Sequence, residues 1–423
     1  MTTTHRISSE AQVGAMPSFL GMARRLLRPR PRLVGQKLRL LLVDTYSGVG
    51  GGQKQLIDFA LASEAMGKAS VMAVVDSSNR RFRGLLDQAG VRYKCLDFNI
   101  DRDRGKAKVS FTNAWKIVRQ AIAVRRVISE YKADVVQFYN YQSGAICVIL
   151  ALLRTKSILT LLHLSGRSQT PAGAFDYVKF LSADAVCYNS HATRSSYSKV
   201  ATPFRVPENI LYSVVTPPSA KKSNDIGQDE RAIFCAQPKR KYVGYFGSIF
   251  PWKNVEQVIK AVALLNQSAT SGEEYFALIV GASVAEKESQ YQADVRALAK
   301  TLLPQESAIL PQQDNIFAIM RRCDVLVLPS EDEPYGRVLI EAMYLKVPFV
   351  ATNSGGPKEI RQAGGDRVGI LVPANDLEAL AVAIRDQTKA DRGSHPGVPR
   401  ELSVEGIIES HYQFFYDQFA AVD

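Results

Sequence analysis

Two carboxylates eight positions apart, Glu333 and Glu341, bracket the segment Glu333-Pro334-Tyr335-Gly336-Arg337, which follows the apolar run Val325-Leu326-Val327-Leu328-Pro329. Such a run reads as a buried strand, and the pattern from about Pro334 onward reads as a helix. Glu333 then stands in the loop at the helix mouth, with Glu341 about two turns deeper, so the two form no ladder pair on one helix face. The amides of Tyr335, Gly336 and Arg337 are the donors that a helix N-terminus leaves open, and such donors attract anions. A nucleotide sugar suits the combination: one carboxylate accepts from ribose hydroxyls, the other from sugar hydroxyls, and the amides receive the diphosphate. The same spacing also fits an ordinary acidic helix start, stabilised by its dipole.

A glycine loop near the other end offers a second phosphate contact. Gly48-Val49-Gly50-Gly51-Gly52-Gln53 follows the run Leu38–Asp44 and precedes a helical pattern carrying Leu56, Ile57, Phe59 and Ala60. Without side chains at Gly51 and Gly52, backbone N–H groups can approach an anion closely. No Lys-Ser/Thr pair follows, which excludes a P-loop. A tight structural turn has the same composition.

The elements that must position these residues repeat twice. Apolar runs at Leu38–Asp44, Val71–Val75, Ala133–Phe138, Ser157–His163 and Ala183–Tyr188 alternate with helical patterns such as Trp115–Glu130. After a Pro/Ser/Lys/Asn stretch at Thr216–Glu230 the alternation restarts with Tyr242–Gly247, Ala277–Gly281, Val325–Pro329, Val347–Ala351 and Gly369–Val372. Strand–helix alternation of this kind predicts parallel sheets covered on both faces. The expected organisation is a basic tail over 1–36, an α/β unit over 37–220, a second over 221–403, and an aromatic-rich helix from Val404 that packs back on the first unit. The 423 residues suit two domains.

Charge divides along the same line. Residues 1–220 hold 31 Lys/Arg against 14 Asp/Glu, and the remainder 22 against 27. The first unit is therefore expected to meet something anionic. In the tail, Arg24, Arg25, Arg28, Arg30 and Arg32 interleave with Phe19, Leu20, Met22, Leu26 and Leu27, a pattern suited to an anionic membrane surface. Five scattered cysteines without a C-x-x-C pair argue for free thiols and against zinc. With no secretory signal pattern and no apolar run of membrane-spanning length, a cytoplasmic location is expected, with peripheral attachment to the inner face of the membrane. Asp101-Arg102-Asp103 has the D-x-D form of a metal site, yet its charged surroundings read as a solvated loop. No metal and no cofactor are expected.

Taken together, Glu333-x₇-Glu341 with its internal Pro-Tyr-Gly resembles the E-x₇-E signature of retaining glycosyltransferases of family 4, on the GT-B fold. Thr352-Asn353-Ser354-Gly355-Gly356-Pro357-Lys358-Glu359 is similar to that family's T-x-x-G-G-x-x-E segment. Gly247-Ser248-Ile249-Phe250-Pro251-Trp252-Lys253-Asn254 is similar to its phosphate loop, and Gly369-Ile370-Leu371-Val372-Pro373 with Asp376 to its late G-x-x-V-x-x-x-D pattern. The resemblance implies two Rossmann-like doubly wound domains facing each other across a cleft. It implies that Lys253 meets the donor diphosphate, where the leaving group develops charge. Glu341 would hold the ribose, and Glu333 the transferred sugar together with the amides of Tyr335, Gly336 and Arg337. His163 would reach the sugar from the first domain, and Gly51 or Gly52 would close on the phosphates. One departure stands out: Ser248 occupies the place of an arginine, which leaves Lys253 nearly alone or brings in another cation such as Arg337 or Lys358.

The implied function is metal-independent sugar transfer from a nucleoside-diphosphate sugar to a glycan or lipid-linked acceptor, with retention of anomeric configuration, as in bacterial surface polysaccharide synthesis. The alternatives are a catalytically weak sugar-nucleotide binder that scaffolds a membrane assembly, and another GT-B enzyme such as a nucleotide-sugar epimerase. Nucleic acid is not an expected partner.

Overall fold

A computed structural model describes residues 37–420 apart from a few stretches, of which the longest are 165–179, 219–226 and 282–288. The tail read over 1–36 lies outside the described residues. The first unit runs β1 (Leu38–Asp44), α1 (Gly51–Ala65), β2 (Ala69–Asp76), α2 (Arg80–Ala89), β3 (Tyr93–Leu96), the two-residue strands β4 (Arg102–Asp103) and β5 (Lys106–Ala107), α3 (Phe111–Tyr131), β6 (Val135–Tyr139), α4 (Gly144–Leu152), β7 (Leu159–Leu164), β8 (Ala185–Tyr188), α5 (His191–Ala201) and β9 (Glu208–Ile210). Its parallel sheet has the order β3-β2-β1-β6-β7-β8-β9. Strands β4 and β5 pair antiparallel in a separate small sheet, so Arg102 and Asp103 lie in a short strand where a loop was expected, while Asp101 lies outside the described residues.

The second unit runs α6 (Gln228–Cys235), β10 (Arg240–Phe246), α7 (Val255–Ser268), β11 (Glu274–Val280), α8 (Gln290–Leu302), β12 (Ser307–Leu310), α9 (Ile316–Met320), β13 (Val325–Leu328), α10 (Arg337–Tyr344), β14 (Phe349–Thr352), α11 (Gly356–Gly364), β15 (Gly369–Val372) and α12 (Leu377–Gln387). Its sheet is also parallel, ordered β12-β11-β10-β13-β14-β15. Each sheet reverses direction once, between β1 and β6 and between β10 and β13. A doubly wound sheet binds ligands outside the carboxyl ends of its strands at such a reversal. The helix expected from about Pro334 starts at Arg337 instead. Gly336 caps it in the left-handed region with φ 95°, a conformation that ends the preceding loop before the helix can begin.

Strand periodicity explains the layers. In β1, Leu38, Leu40 and Leu42 point to one side of the sheet, against Leu56 and Phe59 of α1. Leu41 and Val43 point to the other, against Ala121 and Val124 of α3. A strand buried on both faces needs the continuous apolar run seen in the sequence. In β10, Tyr242 and Phe246 likewise face one core while Val243 and Tyr245 face the other. The last helix, α13 (Val404–Ala420), crosses back to the first unit. Its Ile407, Ile408, Tyr412 and Phe415 join the Leu38–Leu42 side of that core.

That return helix seals His163. The imidazole lies fully buried in β7, stacked on Tyr139 at 5.2 Å between centroids and on His411 of α13 at 6.2 Å. Its Nε2 is 3.1 Å from Gln55 Nε2 and its Nδ1 2.7 Å from Gln137 Nε2. A neutral ring donates at one nitrogen and accepts at the other, so one of the two amides must present its oxygen. Burial, reinforced by His411, drives the pKa of His163 down to about 3. Burial likewise lowers His411 to about 4, while its Nδ1–H donates to the Ile407 carbonyl at 2.8 Å. The expectation that His163 reaches a sugar is therefore corrected: its ring is satisfied inside the domain and has no open side.

Two outcomes follow from this packing. Both histidines are neutral in the fold, whereas the unfolded chain protonates them below pH of about 6.5. Their contribution to stability is complete above that value and is lost as pH falls toward 4 and then 3. Urea titrations should find roughly 3 kcal/mol less stability at pH 5 than at pH 6.5 from this pair, and His163→Gln should halve the slope. The second outcome concerns glycines. A Cβ on Gly356 would meet the Tyr335 carbonyl oxygen at 2.3 Å, whereas one on Gly84, inside α2, meets nothing within 4 Å. Gly356→Ala should cost about 2–3 kcal/mol by thermal unfolding, and Gly84→Ala should stabilise by about 0.5–1 kcal/mol.

Candidate active site

The loop after β13 carries the first carboxylate inward. Glu333 is buried, and its Oε2 accepts from Lys253 Nζ and, at 3.1 Å, from Ser330 Oγ. Its backbone carbonyl accepts from Gly356 N at 2.9 Å. A Cβ on Gly355, whose φ is +63°, would lie 2.0 Å from that same carbonyl oxygen. The Gly355-Gly356 pair thus exists because the Glu333–Tyr335 backbone runs directly against it. Thr352 adds a further tie, donating its hydroxyl to the Ser330 carbonyl.

Lys253 closes a single 3₁₀ turn, Pro251–Lys253, after β10. Its ammonium sits 4.1 Å from the centroid of the Trp252 ring, and an aromatic face attracts a cation. Asn254 follows in the left-handed region with φ 50°, which is the conformation glycine most easily adopts and asparagine next. That is why asparagine is tolerated at this turn. Ser248 is half-buried, and its carbonyl accepts from Tyr245 Oη at 2.7 Å.

Tyr335, Gly336 and Arg337 lead into α10. The Tyr335 ring is buried, stacked on Tyr212 at 5.6 Å between centroids. Glu341 is the fifth residue of α10, one turn beyond Arg337 and nearer the mouth than the sequence suggested. It is half-buried. The Arg337 side chain turns away to the first unit. It donates to Asp58 Oδ2 at 2.5 Å and to the Val214 carbonyl. Arg337 thus does not supply the cation missing at Ser248. Lys358, the other cation considered, lies exposed in the first turn of α11.

Across the cleft, Gly51 and Gly52 are the first residues of α1. Gly50 N donates to Gln53 Oε1 at 2.8 Å, and Gln53 Nε2 donates to Asp44 Oδ2 at 2.6 Å, which pins the loop to the end of β1. A Cβ on Gly51 would come within 3.7 Å of Arg337 Cδ. The N-termini of α1 and α10 therefore approach the same place, and two such termini favour an anion between them. The structure brings Lys253 and Glu333 together, and it places Gly51 opposite Arg337. It leaves His163 out.

Three contacts between the units were not anticipated. The Glu359 carboxylate accepts from His191 N at 2.9 Å and Ala192 N at 3.0 Å, at the start of α5, and from Tyr212 Oη at 3.2 Å. Ser190 Oγ donates to the Pro334 carbonyl at 2.5 Å. Asp58 binds both Arg337 and, at 2.8 Å, Thr216 Oγ1. The one available signal for Asp58 was a carboxylate inside the apolar stretch Leu56–Ala60. Among the described residues, no cluster of three or more His, Cys, Asp or Glu side chains is placed to hold a metal ion, and no helix is long and apolar enough to cross a membrane.

Residues 228–392 match the family described as Glycosyl transferases group 1. A lipopolysaccharide core biosynthesis mannosyltransferase of Rhizobium meliloti is 26% identical over 185 residues, 43% of this chain and 50% of that protein. An alpha-1,3/1,6-mannosyltransferase of Schizosaccharomyces pombe is 22% identical over 357 residues, 76% of this chain and 68% of its own. The chain spans about half the length of the curated relatives it matches. Among solved structures, a glycosyltransferase of Rickettsia africae superimposes with a TM-score of 0.72 at 16% identity, covering 91% of this chain and 99% of the other. Anabaena HepE in complex with UDP and glucose superimposes with a TM-score of 0.66 at 18% identity, covering 91% and 98%. Two facing parallel α/β sheets with these neighbours make the fold GT-B, and residues 228–392 of its second unit match the group 1 glycosyl transferases.

Proposed function

We propose that this chain transfers a sugar from a nucleoside-diphosphate sugar to a glycan or lipid-linked acceptor, with retention of anomeric configuration. The observation that carries the reading is the convergence of Lys253 and Glu333 beside the carboxyl ends of β10 and β13, with the N-terminus of α1 opposite. Diphosphate departure leaves negative charge at a place where an ammonium and helix amides are already oriented, so little reorganisation is needed in the transition state. When a diphosphate engages Lys253, Glu333 gives up that partner and becomes an acceptor for sugar hydroxyls. Glu341 stands one helical turn beyond Arg337, where a nucleoside ribose would extend. The acceptor hydroxyl would attack from the side the phosphate leaves. Relatives named for lipopolysaccharide core synthesis support a surface-glycan acceptor.

Two observations favour a second reading, a sugar-nucleotide binder with weak turnover that acts as a scaffold. Ser248 brings no charge to the leaving group, and His163 is sealed from the cleft. Incubation with a panel of UDP-, GDP- and ADP-sugars, followed by thermal shift, identifies the donor, because a bound ligand stabilises by mass action. Turnover with acceptor extracts and the anomeric configuration of the product then separate transfer from binding. A stabilising donor without a transferred product would select the scaffold, and an inverted product would remove the retaining mechanism.

Two substitutions probe the roles. Glu341→Ala should weaken donor binding by about 1.5–3 kcal/mol through lost charge-assisted hydrogen bonds, measured by calorimetric titration. Unchanged affinity removes Glu341 from the site. Lys253→Ala should lower kcat by about 10²–10³-fold with a smaller effect on sugar selectivity. Full turnover at saturating donor would mean that another cation serves the diphosphate.

A further inference from the structure

We infer that the solvent-facing side of α3 in the first unit is a docking surface for an anionic lipid bilayer. Positions 115, 119, 122 and 126 recur at helical spacing and line one face. They hold Trp115, Arg119, Ile122 and Arg126, all exposed, with exposed Arg125 alongside. The opposite face, carrying Asn113, Gln120, Ala121, Val124, Val127 and Ile128, is buried. Trp115 is 58% exposed and Ile122 39%. Leu152, 72% exposed, ends α4, whose Ile146, Cys147 and Leu150 share the core beneath α3.

Single exposed apolar residues are ordinary on a protein surface. An indole and an isoleucine two turns apart, set among arginines on one helix face, are a pattern of another kind. None of the guanidinium groups of Arg119, Arg125 and Arg126 has an ion-pair or hydrogen-bond partner among the described residues. The helix carries no acid before Glu130, and Lys94 already engages that carboxylate at 2.6 Å. Among the described residues their charge is thus uncompensated.

Charge complementarity selects an anionic bilayer as the occupant. Lipid headgroups supply the negative charge, while the acyl boundary accepts the indole and the aliphatic side chains to a shallow depth. A convex helix face suits a flat interface. The charge asymmetry of the chain orients the molecule the same way. Residues 1–220 carry 31 basic against 14 acidic residues and are drawn toward the surface, while the remainder, with 22 against 27, is held off. The inference goes beyond the transfer reading and does not rest on it.

The test uses the full chain, in sedimentation with vesicles of phosphatidylcholine alone or containing phosphatidylglycerol, at low and high salt. One variant combines Arg119→Gln, Arg125→Gln and Arg126→Gln; a second combines Trp115→Ser and Ile122→Ser. All five residues are exposed, and unchanged thermal unfolding verifies the fold of each variant. The full chain should partition onto phosphatidylglycerol vesicles and not onto neutral ones. The arginine variant should lose about 100-fold in partitioning at low salt, since each basic residue near the surface contributes about fivefold. The Trp115/Ile122 variant should lose the part that survives high salt. Lipids brominated in their acyl chains should quench tryptophan fluorescence in the full chain and not in that variant. Three results overturn the inference. Both variants bind as well as the full chain; binding disappears only when residues 1–35 are removed; or the variants lose binding to RNA while vesicle binding is unchanged.

Discussion

One guanidinium ties the two sheets together at the candidate site. Arg337 begins α10, at the mouth of the candidate donor site, yet its side chain crosses to Asp58 of α1 and to the Val214 carbonyl. Both members of the pair are largely shielded, so removing one would leave the other charged, desolvated and unpaired. The neighbouring ties reinforce the placement: Ser190 binds the Pro334 carbonyl, and Glu359 caps the first amides of α5. Most of these partners lie in the Glu333–Arg337 loop or in the glycine segment packed against it. The width of the cleft is therefore set at the site itself, and a change in how the units meet must be felt by Glu333 and Lys253.

The second constraint is backbone proximity. Gly355 and Gly356 accept the Glu333–Tyr335 chain at distances that any Cβ would close. These glycines thus bring backbone amides and carbonyls near one another so that the loops can be held by main-chain bonds. A loop fixed this way keeps the Glu333 carboxylate in place without relying on a flexible side-chain network, and Thr352 tightens the same turn through the Ser330 carbonyl.

Much of this was legible from residue order. The central strands are buried on both faces and carry continuous apolar runs, so β1, β6, β10 and β13 stand out in the sequence. Three edge strands did not. Tyr93–Leu96, Glu208–Ile210 and Ser307–Leu310 are only partly covered, and their composition carries no run to find. The start of α10 was read too early because Pro334 is a common first helical residue, while the left-handed turn at Gly336 is a backbone property that composition does not announce. His163 failed for a longer-range reason. Whether a histidine at a strand end faces a cleft or a core depends on what covers it, and here the cover is a helix more than 240 positions away in sequence. Asp58 and Glu359 escaped likewise, since their partners lie in the other unit.

The arrangement of charge then limits what the cleft can do. Three cations were candidates for a diphosphate beside the serine at position 248, and two are placed elsewhere: Arg337 holds Asp58, and Lys358 lies exposed in α11. Lys253 remains, and it is paired with Glu333. A paired ammonium and carboxylate are together neutral, so without a ligand the site offers an anion only the N-termini of α1 and α10 and whatever share of the ammonium Glu333 leaves free. A nucleoside diphosphate changes this balance as it enters, because its own oxygens compete with Glu333 for Lys253. Every step by which Lys253 moves toward phosphate releases the carboxylate toward the hydroxyls of the attached sugar. On the proposed reading, recognition of phosphate and recognition of sugar are therefore coupled through one ion pair, and a nucleotide without its sugar would free Glu333 with nothing to bind.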